Sequence, residues 1–256
     1  MRLKDKVAIV TGGGRNIGEE TARLFAKEGA KVAVVDVDKE SGARVANAIQ
    51  AEGGSAMNFV ADVSNEAQVD ELANAVSTHF GRVDILVNNV AITDNKKIFD
   101  ITLEEWNKIM AVTLTSPFLL GRAVAKKMIE HKAGGVIINI GSTSGFYGRS
   151  DAIAYTTAKG GVTNLTKSMA IQLAPHDIRV VLAVPNKIGS PVGQDIFDPN
   201  RPVVNLRKNR AGTPQHVAKV LLFLASDEAD FVTGSSIFID AGVTAIMPGD
   251  TGATSV

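Results

Sequence analysis

The chain has 256 residues, of which 45% are hydrophobic and 21% are charged, so its composition excludes disordered and collagen-like proteins. Lys plus Arg and Asp plus Glu each number 27, which gives no formal net charge, and aromatic residues make up only 5%. Both values argue against a nucleic-acid-binding protein. Cysteine is absent, which excludes disulfide frameworks, thiolate metal sites and cysteine nucleophiles.

Short apolar runs alternate with amphipathic helical patterns along nearly the whole chain. Runs rich in Val and Ile, without polar alternation, predict strands that are covered on both faces, as in a parallel sheet. Strands alternating with helices predict right-handed βαβ units, and hence one Rossmann-like α/β domain over residues 1–256, with a doubly wound, seven-stranded parallel sheet. The predicted strands are 7–11, 31–36, 56–62, 84–89, 135–141, 178–184 and 236–240, and the predicted helices are 17–29, 39–52, 66–80, 103–131, 154–174 and 214–226.

Two segments do not follow this alternation. Residues 186–213 are rich in Pro, Asn, Asp and Arg and are too long for an ordinary connection, so we predict a functional loop over a substrate site. The tail at 243–256 is rich in Gly, Thr and Ala, and it could be loosely ordered or pack on a neighbouring subunit.

The N-terminus and the histidines bear on location and metal binding. The start, MRLKDKVAIVTGGG, has a short apolar run that ends at glycines, so it predicts no signal peptide, and no apolar run predicts a membrane span. The four histidines are far apart in the sequence and show no metal-ligand spacing. Together with the absence of cysteine, these features predict a cytoplasmic protein with no metal site and no membrane partner.

The first predicted strand runs directly into TGGGRNIG at 11–18 and then into a helix. Glycines there let the backbone turn sharply and approach a pyrophosphate, and the helix N-terminus favours negative charge. The position between the first strand and the first helix of a βαβ unit makes a dinucleotide-binding turn a strong prediction. Its predicted cofactor contacts are Gly12, Arg15, Asn16, Ile17 and Gly18.

An acidic residue ends the second predicted strand. Asp36 lies eighteen residues after Gly18, where a carboxylate can accept hydrogen bonds from the adenosine ribose and would repel a 2′-phosphate. Arg15 argues the other way, because its guanidinium could reach a 2′-phosphate, although it could also pair with Asp36. The carboxylate disfavours NADP in either case, so the sequence predicts NAD as the cofactor.

Tyr155 and Lys159, in the segment YTTAK, lie four residues apart on a predicted helix. That spacing places both side chains on one face, where their polar ends could meet over one substrate. Tyrosine, with an ordinary pKa of about 10, is a poor base near neutral pH, and a neighbouring ammonium group lowers that pKa. By itself this spacing is common by chance and is more typical of a surface pair, so the role of the pair depends on the other motifs.

The glycine turn and the YTTAK segment resemble the T-G-x-x-x-G-x-G and Y-x-x-x-K motifs of the short-chain dehydrogenase/reductase family. The resemblance covers the chain from Val7 to about Gly242. Asn16 stands where the family has its middle glycine. Because asparagine tolerates the left-handed backbone better than most residues, we expect the turn to keep its shape.

The resemblance implies further cofactor contacts. The pair at 62–63 is similar to the family's adenine contact, and NNVA at 88–91 resembles its N-N-A-G segment, with two bulkier residues at the end. PNKI at 185–188 resembles the P-G-x-x segment, whose fourth residue contacts the carboxamide, and DAG at 240–242 resembles the D-G-G that ends the last strand. The residues thereby added to the predicted cofactor site are Asp62, Val63, Asn89, Tyr155, Lys159, Pro185 and Ile188.

Ser142 lies thirteen residues before Tyr155 and matches the family's serine. The resemblance implies that Tyr155 transfers the proton, that Lys159 lowers the pKa of Tyr155 and holds the nicotinamide ribose, and that Ser142 orients and polarises the substrate oxygen. Hydride would pass between C4 of the nicotinamide and the carbon that bears this oxygen.

One predicted catalytic position departs from the family. VTL at 112–114 aligns with V-N-L, so Thr113 replaces an asparagine that supports a helix kink and a water relay to the lysine. Threonine supplies a hydroxyl and the same main-chain carbonyl, but no amide. We predict a slower but working relay, and no loss of turnover in Thr113→Asn.

Residues 92–101, 143–150 and 186–213 are predicted to border the substrate cleft. The apolar candidates favour a hydrophobic or cyclic secondary alcohol or ketone; they are Phe146, Tyr147, Ile188, Ile196 and Phe197. The basic candidates could instead receive an anionic group or face solvent; they are Arg201, Arg207, Lys208 and Arg210.

The favoured function is NAD-dependent hydride transfer between nicotinamide and a secondary alcohol or ketone. One alternative is an NADPH-dependent ketoreductase such as a 3-oxoacyl-carrier-protein reductase, against which Asp36 argues. Another is a non-catalytic NAD-binding protein. The resemblance also implies a homotetramer; the apolar helical patterns at 113–131 and 154–174 suit an intersubunit bundle, and they equally suit helices buried within one domain.

Overall fold

The computed structural model describes residues 1–132, 134–192 and 203–247. The strands in this part of the chain are β1 Val7–Thr11, β2 Lys31–Asp36, β3 Ser55–Val60, β4 Ile85–Asn88, β5 Gly135–Ile140, β6 Ile178–Pro185 and β7 Ser236–Ile239. They form one parallel sheet in the order β3-β2-β1-β4-β5-β6-β7. This order confirms the predicted doubly wound sheet, and the direction of winding reverses between β1 and β4.

Helices cover both faces of the sheet. They are α1 Asn16–Lys27, α2 Lys39–Ala51, α3 Glu66–Phe80, α4 Leu103–Met110, α5 Ser116–His131, α6 Ile153–Leu173 and α7 Pro214–Ala225. One face packs on α1, α2 and α7 through side chains such as Phe25, Ile49 and Leu221. The other packs on α3, α5 and α6 through side chains such as Leu72 and Leu120. Because of this double cover β1 and β4 are buried along their whole length, which explains why their sequences are apolar up to one polar residue at the end of each, Thr11 and Asn88.

The helix predicted over 103–131 contains an irregularity that the sequence pattern did not predict. Between α4 and α5 the chain makes a π-helical turn, Ala111–Thr115, in which the N–H of Ser116 bonds to the carbonyl of Ala111. The whole helix, Leu103–His131, has 29 residues and is long and apolar enough to cross a membrane by composition alone. However, 56% of its most apolar stretch is buried inside the fold, so packing in the core accounts for that composition.

Candidate active site

A cavity of about 1340 Å³ opens at the carboxyl ends of the strands, where the order of the sheet reverses. Open α/β sheets bind their ligands in this crevice, and the volume exceeds that of a typical small-molecule pocket. Gly18 and Thr113 are buried and do not line the cavity. The other predicted site residues do line it: Gly12, Arg15, Asn16, Ile17, Asp36, Asp62, Val63, Asn89, Ser142, Tyr155, Lys159, Pro185 and Ile188.

The turn after β1 brings bare backbone to the cavity. Gly12 has φ +61° and Asn16 has φ +52°, so asparagine adopts the left-handed conformation predicted for it. Gly18 lies under the turn, where a Cβ would stand 1.9 Å from the Gly12 carbonyl oxygen, so a larger residue does not fit. The side-chain amide of Asn89, just after β4, donates to the carbonyls of Thr11 and Gly12 at 3.1 and 3.2 Å and fixes the turn.

Asp36 ends β2 beside this turn. One of its carboxylate oxygens accepts the Gly14 N–H at 2.9 Å and the other accepts the Asp38 N–H at 3.1 Å. Each oxygen keeps further acceptor capacity, so the carboxylate is both held in place and able to receive ribose hydroxyls. The pKa of Asp38 is lowered chiefly by the hydrogen bond from the Glu40 N–H, and the charge of exposed Arg15 contributes.

An ion-pair cluster that the sequence analysis missed supports the turn from outside. Arg44 of α2 donates to the Gly14 carbonyl at 2.8 Å and to the two carboxylate oxygens of Glu19 at 2.8 and 2.7 Å. Arg23 also donates to Glu19, at 3.1 Å. The hydrogen bonds from Arg44 are the largest reason that the pKa of Glu19 is lowered. The cluster thereby ties the turn to both α1 and α2.

The loops after β2 and β3 form the other end of this half of the cavity. The Oδ1 atom of Asp62 accepts the N–H and the hydroxyl of Ser64 at 2.9 and 2.6 Å, which orients the carboxylate. Buried Val63 and exposed Val37 line the cavity beside it. These residues fit a dinucleotide. The glycine turn would hold the pyrophosphate, and the Asp36 carboxylate would receive the ribose. The apolar slot beside Asp62 would suit adenine.

Ser142 follows β5 and opens a 3₁₀ turn. Its hydroxyl accepts the Ser144 N–H at 3.1 Å, and its interaction with the Tyr155 hydroxyl lowers the pKa of that phenol. Gly145 lets this turn pack directly on α6, because a Cβ there would lie 2.7 Å from the Lys159 carbonyl oxygen. Close backbone packing therefore sets the separation of the serine and the tyrosine.

Tyr155 lies in the first turn of α6 and is 6% exposed. Burial raises the pKa of its phenol, and the hydrogen bond with Ser142 and the charge of Arg149 offset part of that rise. Near neutral pH the phenol therefore holds its proton and can donate it to a carbonyl oxygen. Arg149 lines the cavity, as predicted for residues 143–150, although it was not named individually as a site residue.

Lys159 lies one turn further along α6 and is 3% exposed. Its ammonium donates to the Ile140 carbonyl at 2.6 Å and lies 5.8 Å from the centroid of the Tyr155 ring. Burial lowers the pKa of Lys159 to about 8. The pKa of Tyr155 is lowered by Ser142 and Arg149, and its lowering by Lys159 stays a prediction.

Known proteins are similar to this chain in sequence and in fold. A family model described as Enoyl-(Acyl carrier protein) reductase matches residues 12–244. Cyclopentanol dehydrogenase of Comamonas sp. (strain NCIMB 9872) is 38% identical, over 95% of this chain and 99% of its own length. The chain belongs to the short-chain dehydrogenase/reductase family.

Other relatives in the short-chain dehydrogenase/reductase family carry names of reductases. The 3-oxoacyl-[acyl-carrier-protein] reductase FabG of Thermotoga maritima is 36% identical, over 95% of this chain and 99% of its own length. The crystal structure of a short-chain type dehydrogenase/reductase from Mycobacterium marinum matches with a TM-score of 0.87 and 34% identity, over 95% of this chain and 97% of that chain. The predicted family and fold are thus confirmed.

The helix that carries Tyr155 and Lys159 depends on an acidic residue that the sequence analysis missed. Asp94, in the loop after β4, is 7% exposed and accepts the N–H groups of Tyr155 and Ala154 at 3.0 and 3.4 Å. α6 has no cap of its own, because Ala152 precedes it with φ +62° and no side-chain acceptor. Asp94 supplies that acceptor from another element and fixes the backbone that carries Tyr155.

Thr113 occupies the family's asparagine position, inside the π turn, and is fully buried. Its hydroxyl donates to the Ile92 carbonyl at 3.0 Å and accepts the Ile92 N–H at 3.2 Å. The hydroxyl therefore links the π turn to the loop after β4. Because these two bonds engage the hydroxyl, it is the Thr113 main-chain carbonyl that would take part in the predicted relay. The relay stays a prediction.

The lining on the substrate side differs in part from the prediction. Tyr147 and Ile188 line the cavity as predicted. Phe146 instead packs on Phe238 of β7, with ring centroids 4.9 Å apart, and this contact draws its ring away from the cavity lining. Lys108 of α4 lines the cavity, although it was not a predicted site residue. The helical pattern indicates which face of α4 is polar, but it does not indicate which part of the fold that face borders.

The end of the described chain also reaches the cavity. Asp240 accepts the N–H groups of Gly242 and Thr244, each at 2.9 Å, and this turn places residues 243–247 in the lining. Arg207 and Arg210 line a smaller neighbouring cavity of about 460 Å³, and Lys208 lies in an exposed turn with φ +57°. Three predicted cleft residues lie outside the described residues: Ile196, Phe197 and Arg201.

Proposed function

We propose that the protein is an NAD-dependent oxidoreductase that transfers hydride between nicotinamide and a secondary alcohol or ketone. The observation that carries this proposal is that Ser142, Tyr155 and Lys159 line one cavity, with the Ser142 hydroxyl close enough to lower the pKa of Tyr155 and the Lys159 ammonium buried one turn away. When bound, the nicotinamide supplies or accepts the hydride at C4. The two hydroxyls hold the oxygen of the substrate, and one of them exchanges a proton with it.

Each side chain has a distinct task in both directions. In reduction the Tyr155 hydroxyl donates its proton to the substrate oxygen, and in oxidation the tyrosine oxygen accepts the proton of the alcohol. The Ser142 hydroxyl donates a hydrogen bond to the same oxygen and keeps it beside the tyrosine. Because burial raises the pKa of Tyr155, oxidation depends on nearby positive charge, which Arg149 supplies.

The choice of NAD rests on Asp36. Its carboxylate is held at the cavity edge by the Gly14 and Asp38 N–H groups, so it cannot easily turn away from a 2′-phosphate. Accepting from a ribose hydroxyl is favourable there, and approach of a phosphate is repelled. Asp36→Ala should therefore raise the kcat/KM with NADP⁺ relative to that with NAD⁺.

A second candidate is an NADPH-dependent ketoreductase such as a 3-oxoacyl-carrier-protein reductase. The 36% identity to the Thermotoga maritima reductase favours it, as does Arg15 on the rim of the cavity. Preference for NADP⁺ over NAD⁺ in the unmodified protein would decide for this candidate. Tight NADH binding without turnover of any substrate would decide for a non-catalytic NAD-binding protein.

The deciding experiment measures NADH formation from NAD⁺, and NADPH formation from NADP⁺, across a panel of cyclic, linear and anionic secondary alcohols. We expect turnover with NAD⁺ that falls by about 10²- to 10⁴-fold in Tyr155→Phe, which removes only the hydroxyl. Tyr147→Phe makes the same chemical change at the only other tyrosine and should cost far less. Equal losses in the two variants would contradict the role of Tyr155.

The proposal includes a homotetramer in the cytoplasm. Exposed apolar side chains support assembly: Ile171 on α6 is 77% exposed and Phe231, after α7, is 99% exposed. The absence of cysteine supports a reducing compartment. Sedimentation at micromolar concentration should give four times the chain mass of 26.9 kDa, and a monomer would contradict the assembly.

A further inference from the structure

A side chain on the cofactor turn reaches across to the segment that follows β6. The Oδ1 atom of Asn16 accepts the main-chain N–H of Ser190 at 3.3 Å, between residues 174 positions apart. Asn16 and Ser190 both line the cavity. The bond therefore joins two walls of the same cavity, one on the side of the glycine turn and one on the side of the predicted substrate loop.

The segment is shaped to receive this side chain. Gly189 has φ +56°, and a Cβ at this position would lie 2.6 Å from the Asn16 oxygen, so the two residues are in direct contact. The N–H of Gly189 donates to the Gly212 carbonyl at 2.9 Å, and Ile188 forms an isolated parallel bridge with Gly212. The segment that contacts Asn16 is thus also bonded to Gly212, just before α7.

We propose that Asn16 is a positioning residue that couples the cofactor turn to residues 186–192. The family has glycine at this position, so the side-chain oxygen is an addition in this chain. That oxygen holds residues 186–192 over the cavity. It thereby restrains the cavity wall on the substrate side and slows the exit of the dinucleotide. The effect of this coupling on the reaction rests on the proposed function. The coupling itself is a property of the protein without cofactor.

Amide hydrogen exchange without cofactor tests the coupling directly. Asn16→Gly removes the oxygen and keeps a residue suited to positive φ, whereas Asn16→Asp keeps an oxygen in the same place. We expect the Ser190 amide to exchange about 3- to 10-fold faster in Asn16→Gly, the range that one hydrogen bond accounts for, and to stay protected in Asn16→Asp. The Gly189 amide, bonded to Gly212, is the internal control. Equal Ser190 exchange in all three proteins would overturn the proposal.

A double-mutant cycle tests the contact with Gly189. Gly189→Ala brings backbone strain in either background, but its clash with Asn16 exists only while the asparagine is present. The NADH dissociation rate, followed by stopped-flow fluorescence, should therefore respond less to Gly189→Ala in the Asn16→Gly background. Additive effects would overturn the coupling. If NADH binds to none of these proteins while the exchange pattern holds, the proposed function fails and the coupling stands.

Discussion

The carboxylate of Asp94 accepts the main-chain N–H of Tyr155 at 3.0 Å, although the two residues are 61 positions apart in the chain. The first turn of a helix leaves N–H groups without partners inside the helix. In α6 these groups belong to the residues that present the Tyr155 hydroxyl, so the loop after β4 helps to decide where that hydroxyl lies. Asp94 positions Tyr155 by holding its backbone.

Replacing Asp94 should weaken both the fold and the site. Asp94→Ala removes the acceptor, and we expect the free energy of unfolding to fall by about 1 kcal/mol, as for other lost helix caps. Asp94→Asn keeps one acceptor oxygen and should lose less. Urea denaturation measures both, with Asp100→Asn as the control because that carboxylate is exposed in the same loop. A loss of stability in Asp100→Asn as large as that in Asp94→Ala would contradict the capping role.

The titration of Tyr155 can be observed directly because the chain has only two tyrosines. In Tyr147→Phe the phenolate absorbance near 295 nm comes from Tyr155 alone. Without cofactor its midpoint should lie above the ordinary tyrosine pKa of 10.0, because burial raises it. Arg149→Gln should move the midpoint higher still, since it removes a positive charge that lowers the pKa. A midpoint that does not move would show that Arg149 is too distant or too well screened to act on the phenol.

Lys159 makes stability depend on pH in an unusual direction. Its pKa is about 8 in the folded protein and 10.5 in the ordinary state, so between these values the unfolded chain binds more protons and stability rises with pH. Below pH 8 the buried ammonium carries a penalty of roughly 3 kcal/mol, which Lys159→Met removes. Urea denaturation of the unmodified protein and of Lys159→Met from pH 7 to 10.5 measures this effect. The difference between their free energies of unfolding should shrink as pH rises. A constant difference would show that Lys159 does not titrate in this window.

Two neighbouring glycines offer a matched test of packing at the site. Gly145→Ala places a Cβ 2.7 Å from the Lys159 carbonyl oxygen, so the turn carrying Ser142 must shift away from α6. We expect a loss of about 1 to 3 kcal/mol in stability and a marked fall in turnover. Gly160→Ala, where the nearest atom lies 3.6 Å away, should be neutral or stabilising in its helix. Similar losses in both variants would show that the separation of the turn and α6 is not critical.

The strands and helices could be predicted because their burial repeats along the chain. The apolar sequence of β1 reflects its burial on both faces of the sheet. All seven predicted strand ranges agree with the structure to within two residues at either end. Asp36 was predictable from its place at the end of a strand and the Tyr155–Lys159 pair from its helical spacing, whereas Ser142 was assigned by the family resemblance. Local periodicity and local motifs carry this information.

The supporting contacts could not be predicted, because they join residues that no spacing relates. The hydrogen bond from Arg44 to the Gly14 carbonyl and the bond from Ser190 to Asn16 exist only after the helices have docked. The partner of the Lys159 ammonium is a main-chain carbonyl, which leaves no trace in the sequence. Family resemblance assigned Lys159 a partner on the cofactor, and its contact within the protein had to be read from the structure.

The π turn at Ala111–Thr115 holds one residue more than the α-helical turn that it replaces. Removal of one residue from this turn would therefore restore a regular helix while α4 and α5 keep nearly their present orientation, so Lys108 would stay at the cavity. The damage would fall on the loop after β4, because Thr113 would leave the position from which its hydroxyl bonds to both main-chain groups of Ile92. The extra residue thus anchors that loop, and the helix itself does not need it.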